Sequence, residues 1–479
     1  MTTSPSALAE AVPEALRRET VDLAGAPPVV DLTHDSRQVR PGWAFACVVG
    51  DTLDGHDFAE GAVSAGASLL LVERQLALDV AQIVVTDVRA AMGHVAAAVH
   101  GEPATRLRVV GITGTNGKTT TTHLLGSILN AAGLAERRLG TLSGARTTPE
   151  APDLQRRLAG FVREGVDAVV MEVSSHALAL HRVAGTRFEV ATFTNLGRDH
   201  LDLHESMEAY FRAKASLFTP ELSNSGVTNA DDPYGRLLLD AAAIPMRSYA
   251  SDDAQDVGVS VDHHRFRWRG HDVRVPIGGR FNVMNSLAAL ATADALGIDP
   301  SVAVAGLADC PPVPGRFEVI GGPDDDISVV VDYAHTPDGI VELLGAARNL
   351  TGTGRVIVVF GCGGDRDADK RPLMGAAAAE HADLVFATSD NPRNEDPMAI
   401  IDAAVEGIEE RYRGGLVIEP DRAAAIGAAV ATARKGDVVV IAGKGHETTQ
   451  TIGDVAHPFD DRVVARAALA DAGRPEASP

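Results

Sequence analysis

The chain has 479 residues, 45% of them apolar and 23% charged, which is too long for one hydrophobic core and ordinary for a soluble enzyme of two to four domains. With 43 basic against 65 acidic residues the formal charge is −22. That excludes a general nucleic-acid or membrane-surface binder and requires any phosphate site to be built locally. Cys47, Cys310 and Cys362 are far apart with no CxxC pair, so the expectation is a reducing, cytoplasmic setting without a disulfide framework or zinc site. No basic-then-apolar leader and no apolar run of spanning length is found.

In chain order, the Ala-, Glu- and Pro-rich residues up to about Pro28 read as a loose lead-in. A small α/β unit follows to about Thr105, with turns at Pro41-Gly42 and Asp54-Gly55 and a buried strand in GASLLLVE. The next unit opens with LRVVGITGTNGKTTTTHLLGSIL: an apolar strand, a Gly-rich loop and a helix. Glycines let such a loop aim its N–H groups at phosphates, reinforced by the helix N-terminus. Gly114, Thr115, Asn116, Gly117, Lys118, Thr119 and Thr120 are therefore candidate ATP residues. Lys118 is placed to reach the β- and γ-phosphates and Thr119 to hold a metal. The strict P-loop spacing asks for glycine at 112, where this chain has Ile112.

Two further strands, VDAVVMEV and VATFTNL, end in polar residues: Glu172 with Ser174, Ser175 and His176, then Asn195, Asp199 and His200. Parallel strands bring such ends to one sheet edge beside the phosphate loop, and a magnesium ion accepts a few oxygens there while keeping waters. In the predicted helix SMEAYFRAKASLF, Met207, Phe211, Lys214 and Phe218 fall at i, i+4, i+7 and i+11, which places a lysine on the apolar stripe. Burial favours its neutral amine, able to add carbon dioxide as a carbamate; a stem snorkelling over the core is the alternative. A β excursion is expected near SDDAQDVGVSVDHHRFRWRG, a helix at GRFNVMNSLAALATADALG and a hinge at PPVPGRFE.

Beyond the hinge come Val-rich strands with polar ends, as in a doubly wound parallel sheet. Arg366 in GGDRD, Asp390, Asn391 and Arg393 in DNPR, and Gly443 to Glu447 in GKGHE would face one crevice. They suit a small ligand with several carboxylate and amino groups, or else a surface salt-bridge network. The residues from about Gly473 onward read as frayed.

Together these segments resemble the Mur ligase family, from Asp35-Ser36-Arg37 to FDDR at Phe459–Arg462. The resemblance also takes in TGTNGKTT, the TTP at Thr147–Pro149, MEVSSHAL, TNLGRDHLD, YFRAKASLF, NADDPYG, GRFNVMN, VDYAHTPD, GGDRDADKRPLMG, DNPR and AGKGHE. It implies an α/β protein of three domains: a small N-terminal UDP-binding domain (1–105), a central P-loop ATPase with a mostly parallel sheet (106–315) and a C-terminal Rossmann-like domain (316–479). It implies ATP as co-substrate, Mg2+ held by Thr119, Glu172, His200 and a carbamylated Lys214, and nucleotide contacts at Asn282, Arg316 and Asp332. Ser36 and Asp54–His56 would lie in the UDP region, and Thr147, Thr148, Ser174 and Arg182 against a muramoyl-peptide. Arg366, Asp390, Asn391, Arg393, Gly443 and Glu447 would hold meso-diaminopimelate. Leu180 departs from relatives that carry Gln there.

The implied reaction is ATP-dependent amide formation on UDP-N-acetylmuramoyl-L-Ala-D-Glu by a cytoplasmic monomer with small-molecule partners, in peptidoglycan precursor synthesis. A lysine-adding or folylpolyglutamate-type ligase on the same scaffold, or a nucleotide-gated regulatory protein without ligation, stands as the alternative.

Overall fold

The computed structural model describes residues 2–144, 146–321 and 326–473; the tail expected to fray beyond Gly473 lies outside them. Three large sheets follow one another along the chain, with a three-stranded and a two-stranded one besides. The first has five strands in the order Arg17–Val21, Ala81–Val85, Leu69–Val72, Trp43–Ala46, Asp31–Thr33, all neighbours parallel except the first pair. The loose lead-in is overturned. Pro5–Ala11 is a helix capped by Ser4, Leu8 and Val12 are buried in the first core, and Arg17–Val21 completes the sheet edge. Its composition looked like linker, but the burial of those two side chains supplies the ordering free energy.

The central sheet has six parallel strands in the order Met246–Tyr249, Ser223–Asn229, Phe188–Phe193, Arg108–Thr113, Ala168–Glu172, Glu136–Leu139. Parallel strands are covered on both faces. The helices Lys118–Ala131 and Phe281–Ala295 pack one face, and apolar residues around Leu154, Leu158 and Phe218 the other. The expected β excursion is present as an antiparallel sheet, Gln255–Val259, His264–Trp268 and His271–Val275.

The third sheet runs Glu318–Ile320, Ser328–Asp332, Val438–Ala442, Val356–Phe360, Leu384–Ala387, Leu416–Ile418, parallel apart from the first pair. A hairpin of Thr449–Ile452 and Val455–Pro458 follows it. In the central and third sheets the strands whose ends carry the candidate residues lie side by side at the middle. Cys47, Cys310 and Cys362 are free and buried. Among the described residues no helix is long and apolar enough to cross a membrane.

Candidate active site

The strand Arg108–Thr113 delivers the chain into the loop 114–117, and the helix Lys118–Ala131 starts at its end. Gly114 has φ +147° and Gly117 φ +86°, and a Cβ on either would collide with Thr194 Oγ1 or Asn285 Oδ1 respectively. Glycine is needed at both positions for conformation and for space. The neighbouring strand end fixes the loop: Asn195 Oδ1 accepts from Asn116 N (2.9 Å), and Thr194 Oγ1 donates to Asn116 O (2.6 Å). Lys118 Nζ donates to Gly114 O (2.9 Å) and Thr115 O (2.8 Å), so its ammonium lies over the loop.

Glu172, 1% exposed, accepts from Thr119 Oγ1 through Oε2 (3.0 Å) and from Thr141 N through Oε1 (2.9 Å). Thr141 Oγ1 also meets Thr147 Oγ1 (3.1 Å), and Arg316 Nη2 donates to Thr119 Oγ1 (3.2 Å) across the domain boundary. His200 sits at φ +54° with Nε2 3.3 Å from Asp199 Oδ2 and its ring edge-on to His176. Burial lowers the His200 pKa against the pull of Asp199, which favours the neutral imidazole with a free lone pair. Thr119, Glu172 and His200 line one cavity of about 240 Å³. A hydroxyl, a carboxylate and a neutral imidazole fit a magnesium ion, which takes few protein ligands and retains water. Among the described residues no cluster of three His, Cys, Asp or Glu groups offers a fuller cage.

Lys214 is not on that lining. It is 1% exposed, with Nζ donating to Gly114 O (2.8 Å) and lying 4.6 Å from the centre of the Tyr210 ring. Burial, then Lys118, lower its pKa well below the ordinary lysine value. The apolar stripe therefore buries this lysine instead of snorkelling it, and the neutral amine that carbamylation requires is available.

Thr115 to Thr120, Thr147, Ser174, Arg316 and Asp332 line the first cavity. Burial raises the pKa of Asp332, although Arg316 and the N–H groups of Phe317 and Ala334 oppose it. Asn282 stands behind the lining: fully buried, it donates to Gly278 O (2.7 Å) and accepts from Asn285 Nδ2 (2.8 Å), while Asn285 lines the cavity. The rotation of the helix Phe281–Ala295 turns the second asparagine toward the loop. Thr148 stands behind the lining, donating to Glu172 O (2.9 Å) and accepting from Ser174 N (3.1 Å). Arg182 pairs with Glu150 (3.0 Å), and Ser36 lies in a turn of the N-terminal domain; neither lines this cavity. His56 uses both ring nitrogens internally, with Asp54 (2.6 Å) and Glu73 N (2.9 Å).

The third sheet gathers Arg366, Asp390, Asn391, Arg393, Gly443 and Glu447 around a second cavity of about 470 Å³. The surface-network alternative does not hold, because these groups converge on a concavity and Asp390 and Asn391 are buried. Beneath them Arg422 and Asp461, both fully buried, form an ion pair (2.7 Å). The same guanidinium donates to Ser389 O (3.2 Å) and Ala442 O (2.9 Å), fastening two of the converging strand ends. Gly443 has φ +117°, and a Cβ there would meet Asp390 Oδ2 at 2.6 Å. Asp199, His200, Tyr333 and His335 line both cavities and form their shared wall.

Sequence reasoning missed Thr141, Asn285, Tyr333, His335, Lys370 and Arg422 as parts of this arrangement. Tyr333 and His335 follow Asp332 in VDYAHTPD and could have been found there; Arg422, in an Ala-rich helix, carried no local signal.

A phosphate loop whose cavity shares a wall with a carboxylate- and arginine-lined cavity on another domain defines a nucleotide-dependent ligase. Residues 29–103 match the Mur ligase family catalytic domain, 112–293 the Mur ligase middle domain and 315–445 the Mur ligase glutamate ligase domain. The chain belongs to the Mur ligase family. It is 45% identical to the UDP-N-acetylmuramoyl-L-alanyl-D-glutamate–2,6-diaminopimelate ligase of Streptomyces avermitilis, with 92% of each chain covered. It is 42% identical to the ligase of the same name from Aquifex aeolicus, over 93% of this chain and 94% of that one. A solved structure of a ligase of that name superimposes with a TM-score of 0.66 at 34% identity, over 94% of this chain and 96% of the other. A Mycobacterium tuberculosis folylpolyglutamate synthase, 20% identical with a TM-score of 0.60 over 81% of this chain and 96% of its own, shares the fold.

Proposed function

We propose that this ligase joins meso-diaminopimelate to the D-glutamate of UDP-N-acetylmuramoyl-L-Ala-D-Glu at the cost of ATP, in peptidoglycan precursor synthesis. The observation that carries the reading is the wall shared by the phosphate-loop cavity and the second cavity. A carboxylate has no good leaving group, so it must be activated before an amine can displace anything from it. The acceptor carboxylate attacks the γ-phosphorus of ATP, giving an acyl phosphate and ADP. The amine then attacks the acyl carbon and phosphate departs. Both steps need the acyl group to face nucleotide and amine in turn, which the shared wall allows.

Lys118 and the amides of residues 115–119 stabilise charge on the transferring phosphoryl group. Thr119, Glu172 and His200 would hold magnesium, with Lys214 contributing as a carbamate; the ion supplies charge neutralisation on the phosphate oxygens. Arg316, stacked 4.3 Å over Tyr333 and bonded to Thr119, ties the C-terminal domain to the nucleotide cavity. Arg366 and Arg393 suit the carboxylates of diaminopimelate, and Asp390 and Glu447 its ammonium groups. Ser36, Thr147, Thr148, Ser174 and Arg182 are assigned to the nucleotide-linked peptide, whose uridine end belongs to the N-terminal domain. We place the reaction in the cytoplasm, where ATP and the nucleotide precursor are found, and take the protein as a monomer.

The test uses purified protein, ATP, magnesium and the UDP-muramoyl-dipeptide, with meso-diaminopimelate or L-lysine in separate tubes, reading phosphate release and product mass together. A product with diaminopimelate alone supports the assignment. Lysine addition overturns the amino-acid specificity, and no product with either overturns ligation.

A further inference from the structure

Lys444 sits between Gly443 and Glu447, both of which line the second cavity, yet it does not line the cavity itself. Its side chain is fully buried. Its ammonium has three N–H donors and meets three acceptors: Thr449 O (2.7 Å), Glu447 Oε2 (3.0 Å) and Asn391 Oδ1 (3.1 Å). Asn391 Oδ1 also accepts from Thr451 N (2.9 Å), and Asn391 Nδ2 donates to the same Glu447 Oε2 (2.8 Å). The two donors facing Oδ1 determine which way the amide points. Glu447 Oε2 is thus held by two donors, and neither bond occupies Oε1.

We propose that Lys444 is a positioning residue for amino-acid recognition. It fixes the Asn391 amide and the Glu447 carboxylate in the one arrangement that presents Glu447 to an ammonium group of the substrate. The inference rests on the assignment of the second cavity to the amino-acid substrate. Three features support it beyond the triangle itself. A buried lysine is retained only where its charge is matched, and here the partner is a carboxylate 30% exposed on the cavity wall. Asp390 lies in the same cavity, and without a cation behind them the two carboxylates would repel each other. The hairpin that supplies Thr449 O and Thr451 N also sends Gln450 Nε2 to Asp390 O (2.7 Å), so the lysine joins the hairpin, the DNPR loop and the GKGHE loop at one point.

The test compares the full-length wild type with K444M, which keeps the stem and loses the donors, and K444Q, which can still donate to Thr449 O. Two quantities are read in each: the KM for meso-diaminopimelate, and label exchange between ADP and ATP with the UDP-muramoyl-dipeptide but no amino acid. Exchange reports reversible acyl-phosphate formation at the other cavity and serves as the control for folding. Both variants are expected to raise the diaminopimelate KM roughly tenfold or more, the scale of one lost charge-assisted bond, with exchange close to the wild-type rate. An unchanged KM, or equal loss of exchange and of diaminopimelate binding in both variants, overturns the proposal and leaves Lys444 a stability residue. No diaminopimelate product from the wild type would overturn the cavity assignment itself, and this proposal with it.

Discussion

Lys370 Nζ lies 3.5 Å from Asp199 Oδ1, and the two side chains, 10% and 7% exposed, belong to different domains. Asp199 is the residue before His200 and also faces His335 of the C-terminal domain at 3.9 Å, so one carboxylate receives cationic and imidazole groups from both sides of the cleft. These contacts tie the C-terminal domain to the central one across the cleft. The K370M substitution should therefore act on closure. Breaking a buried pair costs roughly 3 kcal/mol, so kcat/KM should fall on the order of a hundredfold. The melting temperature should fall by only a few degrees, the scale of one lost interdomain pair, with both domain cores intact. Steady-state phosphate release and a thermal melt decide it; an unaltered rate, or a loss of fold in step with activity, argues against a role for this pair in closure.

Lys214 should be found as a carbamate. Its neutral amine beside Gly114 O is the reactive form, and labelled bicarbonate should give a carbamate carbon signal in the wild type that is absent from K214R. Loss of the extra anion near the phosphate loop should lower kcat by at least roughly a hundredfold, the size of one lost electrostatic contribution at a transition state. Full activity in K214R, or the same signal from it, would remove Lys214 from the mechanism.

Arg393 has φ +51° and donates through Nη1 to Gly364 O (2.6 Å), and its backbone N–H reaches Thr451 O (3.1 Å). The R393A variant keeps that backbone anchor and removes the side chain beyond Cβ, guanidinium included. The expected outcome is a rise in diaminopimelate KM of roughly ten- to a hundredfold from the loss of a bidentate carboxylate contact, with the KM for ATP within about twofold of wild type. Equal effects on both substrates would contradict the assignment.

His264 gives a pH test away from the catalytic groups. It is fully buried, with Nδ1 facing Ile277 O (2.6 Å) and Nε2 facing Ser286 Oγ (2.9 Å), partners that satisfy both nitrogens of the neutral ring. Burial pushes its pKa from 6.5 down to about 4. Between those values the unfolded chain binds the proton and the folded one does not. Stability contributed by the neutral ring is therefore complete above about pH 6.5 and lost as pH falls toward 4, by roughly 3 kcal/mol in all. Melting temperatures of the wild type should drop more steeply from neutral pH to pH about 5 than those of H264Q. Parallel curves would show that the imidazole is not the group responsible.

The sequence by itself determined the parts whose geometry is local. A strand, a Gly-rich turn and a helix N-terminus are contiguous in LRVVGITGTNGKTT, and the phosphate cradle is made largely of that segment's own backbone, so no distant contact was needed to recognise it. The Val-rich strands with polar ends likewise announced parallel sheets and the edge on which Glu172, His200, Asp390 and Glu447 gather. Helical spacing placed Lys214 on the apolar stripe but left its burial or snorkelling open, and only the packed structure buries it.

Tertiary structure decided whatever depends on the rotation of an element or on which elements meet. Asn285 and not Asn282 lines the nucleotide cavity because of how the helix Phe281–Ala295 is turned against the loop, an angle set by packing. The N-terminal stretch is ordered because Leu8 and Val12 find a core to enter, which composition cannot show. The wall formed by Asp199, His200, Tyr333 and His335 exists only because two domains close on each other. No local pattern encodes that juxtaposition, since its residues come from separate strand ends and their meeting is fixed by long-range packing.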